Sequence, residues 1–208
     1  MTSNTPQSRV KRSRLSYDDL ASHYDAAMRP LDSWFLAPLR AEMLSQLPEN
    51  ARVLEVGAGT GLNFAFYPAN TRGIATDPSH EMLKIAAGKG RPKAVRLVQT
   101  WAEALPFKNA SFDAAFATLV FCSVVSPRRA FNELRRVVKP AGTIFLLEHV
   151  RPQGFLGPVF DLLNLVTVPL CDDHFNRRTA EQAQAAGLQI VAVKKRLLGI
   201  INLIACQV

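Results

Sequence analysis

After Pro48 the chain settles into one rhythm: short apolar runs alternating with helical patterns. The runs are Val53–Val56, Gly73–Thr76, Val95–Gln99, Ala114–Leu119, Thr143–Leu147, Gln189–Lys194 and Ile200–Cys206. Helical spacing occurs near His80–Ala87, Pro127–Val138 and Thr179–Ala186. Strands that alternate with helices bury both faces of a mostly parallel sheet, because each crossover lays a helix on one face or the other. Only a short turn around Leu198–Gly199 separates the last two runs. A parallel crossover needs about a dozen residues, so this pair is expected to be antiparallel. The sequence therefore predicts an α/β fold whose sheet has seven strands.

Upstream, 15–47 reads as a helical cap, with Leu20, Tyr24, Met28, Leu31, Trp34, Phe35, Leu39 and Met43 at three- and four-residue steps. Pro30 and Pro38 are expected to divide it into pieces. Residues 1–14 are polar and basic, with Arg9, Lys11, Arg12 and Arg14 close together, and read as a disordered tail. The 208 residues suit one domain over 15–208. No apolar run approaches the ~18 residues of a membrane span, and the N-terminus lacks an apolar signal core. Three cysteines (Cys122, Cys171 and Cys206) in apolar surroundings point to a reducing, cytoplasmic setting and to buried side chains rather than nucleophiles. The net charge of +8 suits an anionic partner, either nucleic acid or an acidic membrane surface.

The first apolar run ends in Glu55 and breaks into "VGAGTG", with Gly57, Gly59 and Gly61 two apart. Glycines let another molecule approach the backbone, and such a loop seats nucleotide-like cofactors in doubly wound proteins. A dinucleotide loop would place its third glycine at Leu62, but the glycine falls one residue early, at Gly61. Sixteen residues after Gly61, Asp77 ends the second run, where a carboxylate can accept hydrogen bonds from both hydroxyls of a ribose.

Four blocks, "LEVGAGTG", "ATDPS", "WAEALPF" followed by "SFDAAFA", and "ELRRVVKPAGTIFLLEH", resemble in order and spacing the class I S-adenosylmethionine-dependent methyltransferases. The resemblance implies a Rossmann-like, doubly wound, mostly parallel sheet with an antiparallel C-terminal strand, and S-adenosyl-L-methionine as cofactor. It also assigns roles. Glu55 and the loop Gly57, Ala58, Gly59 and Gly61 would hold the methionine end. Asp77 would take the ribose, with Pro78 and Met82 beside it. Ala102 and Glu103 would lie near the adenine, and Thr118 and Leu119 near the sulfonium. Trp101 stands where many relatives carry an acid, so indole contact would replace a hydrogen bond to the adenine amine. Ala141 interrupts the family's Pro-Gly-Gly turn, a change expected to matter little.

Methyl transfer from a sulfonium is an in-line displacement that relies on positioning and exclusion of water, so a lid and an acceptor pocket are the features to seek. Tyr17 and Tyr24, seven apart on one helical face, could close over the cofactor. The nearly uncharged 154–171 segment, "GFLGPVFDLLNLVTVPLC", reads as an apolar lid, an interfacial segment or a core helix. Within the family, "LEVGAGTGLNFAFYP", "TLVFCSV", "LLEHV" and "LCDDHFNRRTAEQAQAAGL" resemble the methyltransferase-like thiol S-methyltransferases of membranes. "YDDLASHYD" and "AEALPF" are also similar to quinone C-methyltransferases and bacterial phospholipid N-methyltransferases. All three imply a small lipophilic or membrane-associated acceptor; with the cysteine usage and the +8 charge, the expectation is a cytoplasmic protein with peripheral contact to an anionic membrane. The acceptor atom stays open among sulfur, nitrogen, carbon and oxygen.

His149 and Tyr24 are the candidate bases, should the acceptor have to lose a proton. The trio Asp172, Asp173 and His174 is too close in sequence to face one ion, so no metal is expected. Nucleic-acid methylation is the rival reading. Arg128–Arg129, Arg135–Arg136 and Lys194–Arg196 favour it, but "TLVFCSV" stands where base-amino methylases carry Asn/Asp-Pro-Pro-aromatic. A cofactor-binding protein without catalysis is the remaining one. No obligate protein partner is evident.

Overall fold

The computed structural model describes residues 17–151, 158, 161, 162, 174 and 177–208. The expected tail at 1–14, Cys171, Asp172 and Asp173 lie outside the described residues, as does the 154–171 segment except for Pro158, Asp161 and Leu162. Two helices open the chain, α1 (Tyr17–Leu31) and α2 (Ala37–Leu44), joined by a π-helical turn at Asp32–Leu36. Then follow β1 (Arg52–Val56), β2 (Arg72–Asp77), α3 (His80–Ala87), β3 (Val95–Gln99), β4 (Phe112–Thr118), α4 (Pro127–Val137), β5 (Val138–His149), α5 (Thr179–Ala185), β6 (Gln189–Arg196) and β7 (Ile201–Gln207). The expected α/β sheet of seven strands is present.

Strand order is β3-β2-β1-β4-β5-β7-β6. Pairings among β1 to β5 are parallel, and β7 runs antiparallel to both β5 and β6. The chain winds outward from β1 to β3, then returns to lay β4 against the other side of β1. Between β1 and β4 the two loops leave in opposite directions and open a crevice at the carboxyl edge of the sheet. Alternation along the strands fills both faces. Leu54, Val56, Ala115, Ala117, Ile144 and Leu146 pack under α4 and α5. Val53, Ala114, Phe116, Phe145 and Leu147 pack under Met43 and Leu44 of α2. Glu55 shares the parity of Val53, so its carboxyl points to the α2 side.

Local signals explain the helices. Ser79 accepts from Met82 N at 3.1 Å and caps α3. In α4, Pro127 opens the first turn and Arg135 and Arg136 close the last, while Ala130, Phe131, Leu134 and Val137 form its buried face. The cap departs from expectation in one respect. Pro38 stands in the first turn of α2, where a missing N–H is tolerated, whereas Pro30 lies inside the last turn of α1; the segment divides into α1, the π turn and α2 as expected, but stays helical across both joins.

A second departure concerns β5, which begins five residues before Thr143, at Val138, beside a register shift between Phe112 and Ala114. Ala141 lies in this irregular stretch with φ 62°, in the left-handed region that favours glycine. The alanine in the family's glycine turn therefore has a cost after all. Ala141→Gly should raise the unfolding free energy by about 1 kcal/mol, read by urea titration; an unchanged or lower midpoint would contradict this. Among the described residues, no helix is long and apolar enough to cross a membrane.

Candidate active site

At the carboxyl edge, the loops after β1, β2, β3 and β4 surround a cavity of about 810 Å³ roofed by α1. Residues 57–60 form one wall and 77–79 the next. Residues 100–103, 118–120 and 123–125 complete it, with Tyr17, Tyr24 and Arg40 reaching in from the cap. Of the site residues expected from sequence, the cavity brings together Tyr17, Tyr24, Gly57, Ala58, Gly59, Asp77, Pro78, Met82, Ala102, Glu103, Thr118 and Leu119. Glu55, Gly61 and His149 do not line it. Trp101 does, and is half exposed.

The glycine loop holds its shape through Asp77. One carboxylate oxygen accepts from Gly59 N at 2.8 Å and the other from Ser79 N at 2.9 Å. Burial raises the Asp77 carboxyl pKa, and these two amides pull it back. Each oxygen retains a lone pair, so the carboxylate can brace the loop and still accept from a diol. Gly59 adopts φ +54°, and a Cβ there would meet nothing within 4 Å, leaving a bare stretch of backbone facing the cavity. Gly61 is a packing glycine instead, because a Cβ there would stand 2.5 Å from the Phe64 ring.

Glu55 lies one layer beneath the cavity floor and organises it. Its carboxylate accepts from Asn63 Nδ2 at 2.5 Å and from the Tyr67 hydroxyl. Asn63 Oδ1 accepts from Arg40 Nη1 at 2.7 Å, and Arg40 Nε donates to Asp32 at 2.9 Å. A chain of side chains thus runs from the π turn of the cap to β1. It holds the almost fully buried Arg40 cation at the cavity wall. Desolvation pushes the Glu55 carboxyl up to about 7, against the lowering pull of Asn63, Tyr67 and Arg40. This folded value lies above the unfolded one, so its stabilising contribution is complete below pH ~4.5 and is lost as pH rises to about 7. Wild type should lose on the order of 3 kcal/mol across that interval relative to Glu55→Gln, measured by urea unfolding at about pH 4.5 and 7.5. Parallel pH profiles would refute the assignment.

The wall after β4 is fastened from behind. Leu119 takes φ 55° and donates its N–H to Leu147 O at 2.8 Å. One Glu148 oxygen accepts from Val120 N and Phe121 N at 3.0 and 3.1 Å. His149, buried at the end of β5 in register with Ile201, lies off the cavity wall. His174 donates its backbone N–H to Cys122 O at 3.1 Å. The roof is latched by carboxylates: Asp25 accepts from Thr60 Oγ1 and pairs with Lys89, and Asp18 accepts from Ser79 Oγ. Three of the expected basic residues are engaged internally. Arg136 pairs with Glu133 and donates to Leu105 and Phe107 carbonyls, while Lys194 and Arg196 pair with Glu42.

Sequence reasoning missed Arg40, Asn63, Thr60 and Ser79. Arg40 had a signal: a lone arginine between Leu36, Met43 and Leu44, all buried on the core-facing side of the helix.

A sheet reversed between β1 and β4, with a left-handed glycine loop and an acid ending β2, defines a Rossmann-like methyltransferase of class I. Residues 54–146 match the family described as "Methyltransferase domain". The chain is 35% identical over 127 residues to the mouse thiol S-methyltransferase TMT1B, covering 55% of this chain and 52% of that protein. It is 31% identical over 150 residues to the phosphatidylethanolamine N-methyltransferase of Cereibacter sphaeroides, covering 65% of this chain and 74% of that one. A crystal structure of an S-adenosylmethionine-dependent methyltransferase from Thermotoga maritima superposes with a TM-score of 0.63 at 25% identity, covering 90% and 99% of the two chains. This chain belongs to the class I S-adenosylmethionine-dependent methyltransferases. It spans about half the length of the thiol S-methyltransferases it matches.

The cavity fits the family's cofactor. The bare backbone at Gly59 admits close approach, Asp77 offers lone pairs to a diol, and the Arg40 cation suits a carboxylate.

Proposed function

We propose that this protein transfers a methyl group from S-adenosylmethionine to a small lipophilic or membrane-associated acceptor: a thiol, a phospholipid amine or a quinone-like ring. The observation that carries this reading is the wall after β4. Leu119, Val120, Val124 and Val125 put aliphatic side chains where the acceptor must approach, and no charged residue stands among them. The relatives named above support an acceptor of this class, since one is named for thiols and another for a phospholipid.

The cofactor supplies an electrophilic methyl on a sulfonium. The protein's own part is placement. Asp77 and the Gly57–Gly59 backbone orient the nucleoside, and Arg40, with Asn63 and Glu55 behind it, anchors the opposite end. Tyr17 and Tyr24 close the roof and keep water from the reacting line. Tyr24 is the candidate base at the cavity, whereas His149 would act only if the acceptor reached past the described wall.

Incubation of methyl-labelled S-adenosylmethionine with protein and cell extract, followed by solvent partition, tests the acceptor class. Label in the organic phase is the expected result. Label confined to water and released by nuclease would replace this reading with nucleic-acid methylation. Asp77→Ala should weaken cofactor affinity by about 1–3 kcal/mol in calorimetric titration, because the diol loses its charged acceptor. Unchanged affinity would remove Asp77 from the binding role.

A further inference from the structure

The cap carries an apolar stripe on its outer side. Ala27, Pro30, Leu31, Trp34, Phe35 and Pro38 are all exposed, spaced by three and four residues along α1, the π turn and the start of α2. Trp34 is 80% exposed and Phe35 46%. The alternate residues of the same segment, Leu36, Leu39 and Arg40, turn toward the protein. An isolated exposed leucine needs no explanation, but a continuous row ending in an indole and a phenyl marks a contact surface.

Its position and charge indicate what it meets. Arg40 reaches the cavity from α2, so the π turn bearing Trp34 and Phe35 stands at the carboxyl edge of the sheet, beside the cavity. A second apolar tip, Leu197 and Leu198, lies at that edge too, since the turn it forms is tied to the end of β5 by Val150 N to Ile200 O at 2.8 Å. Leu198 is 83% exposed. The charges around these tips are cationic. Within 26–40 the exposed charged residue is Arg29, and Asp32 is spent on Arg40. Lys194 and Arg196 flank the leucine tip, remain partly exposed and share the one carboxylate of Glu42 on α2, which leaves the group net positive. The exposed acids of the cap, Asp18 and Asp19, sit at the far end of α1, about 20 Å from the π turn by helix rise. Aromatic and aliphatic tips ringed by cations complement an anionic bilayer surface, where indole rings seat at the headgroup level.

We propose that Leu31, Trp34, Phe35 and Leu198, with Arg29, Lys194 and Arg196, seat the protein on an anionic phospholipid surface, with the cavity mouth next to the bilayer. This deepens the proposed function, resting on it only for the purpose of docking; the docking itself stands on the surface described here.

The test is flotation of the full chain with vesicles of phosphatidylcholine alone or with about 30% phosphatidylglycerol. Expected are binding to the anionic vesicles that weakens with salt, and at least a tenfold loss of partition for Trp34→Ser/Phe35→Ser, of order what losing two buried aromatic rings implies. Melting temperature and S-adenosylmethionine affinity of that variant should match wild type. Absence of wild-type binding to anionic vesicles, or equal binding by the variant, overturns the proposal. So does a shift from dimer to monomer in the variant without any vesicle dependence, which would make the stripe a self-association face. Methylation of detergent-dispersed lipid extract, run in parallel, separates the two readings. Transfer without vesicle binding refutes the surface alone, and vesicle binding without organic-phase label refutes the acceptor class alone.

Discussion

Gly59→Val should abolish cofactor binding and leave the protein folded. The φ of +54° at Gly59 costs a β-branched residue about 1–2 kcal/mol, which an ordinary stability of about 5–15 kcal/mol absorbs. Apart from its chain neighbours, no described residue comes within 4 Å of the new Cβ, so the packing around the loop does not resist it. The isopropyl group instead projects over the cavity, opposite the carboxylate that accepts from the same residue's N–H. Affinity for S-adenosylmethionine and for its demethylated product should fall by more than about a hundredfold, a loss near 3 kcal/mol. Calorimetric titration alongside a thermal melt checks both halves. Affinity within a few-fold of wild type would show that the loop does not face the cofactor.

Gly73→Ala has the opposite signature. Gly73 sits in β2 at φ +152°, and a Cβ there would stand 1.9 Å from the carbonyl oxygen of Val53, its neighbour in β1. That oxygen belongs to the sheet ladder near the amino end of β1, so the strands must separate or shear. The expected cost is about 3–5 kcal/mol, which lowers the melting temperature of a chain this size by roughly 10 °C. Protein that remains folded should bind cofactor normally once temperature is reduced. A melting temperature within a degree or two of wild type would mean that β1 and β2 are not closely paired at Val53 and Gly73.

These two glycines illustrate what could be read from sequence. Glycines in the loop were legible because spacing, a preceding strand and a following acid form a local pattern. Gly73 was not, since its need arises from a carbonyl twenty residues away. The same division holds for the elements. α3 lies where its apolar spacing near His80–Ala87 predicts it, because that spacing is local in the chain. The sequence starts β5 too late because Lys139, Pro140 and Gly142 look like a turn, whereas Val138 already pairs with Phe112 ahead of a register shift, and Ala141 and Gly142 exchange backbone bonds with Val208. At the site, the wall residues after β1, β2 and β4 followed from the order of blocks. Arg40 and Asn63 did not, because the contact that makes them a pair spans 23 residues and depends on how the cap docks. The sequence places Glu55 in the site, but only the fold reveals that it lies off the cavity lining, hydrogen-bonded to Asn63, which does line it.

The placement of β7 bears on how the chain is made. Ribosomal synthesis delivers strands in order, yet the strand that joins β5 to β6 comes after both. From the emergence of residue 149 until residue 207 follows, roughly 3–12 s at ordinary elongation rates, β5 presents an open flank of backbone donors and acceptors. β6 waits with no sheet to join. For that interval the nascent five-stranded sheet from β3 to β5 carries an unpaired flank, the kind of edge that templates pairing with another chain.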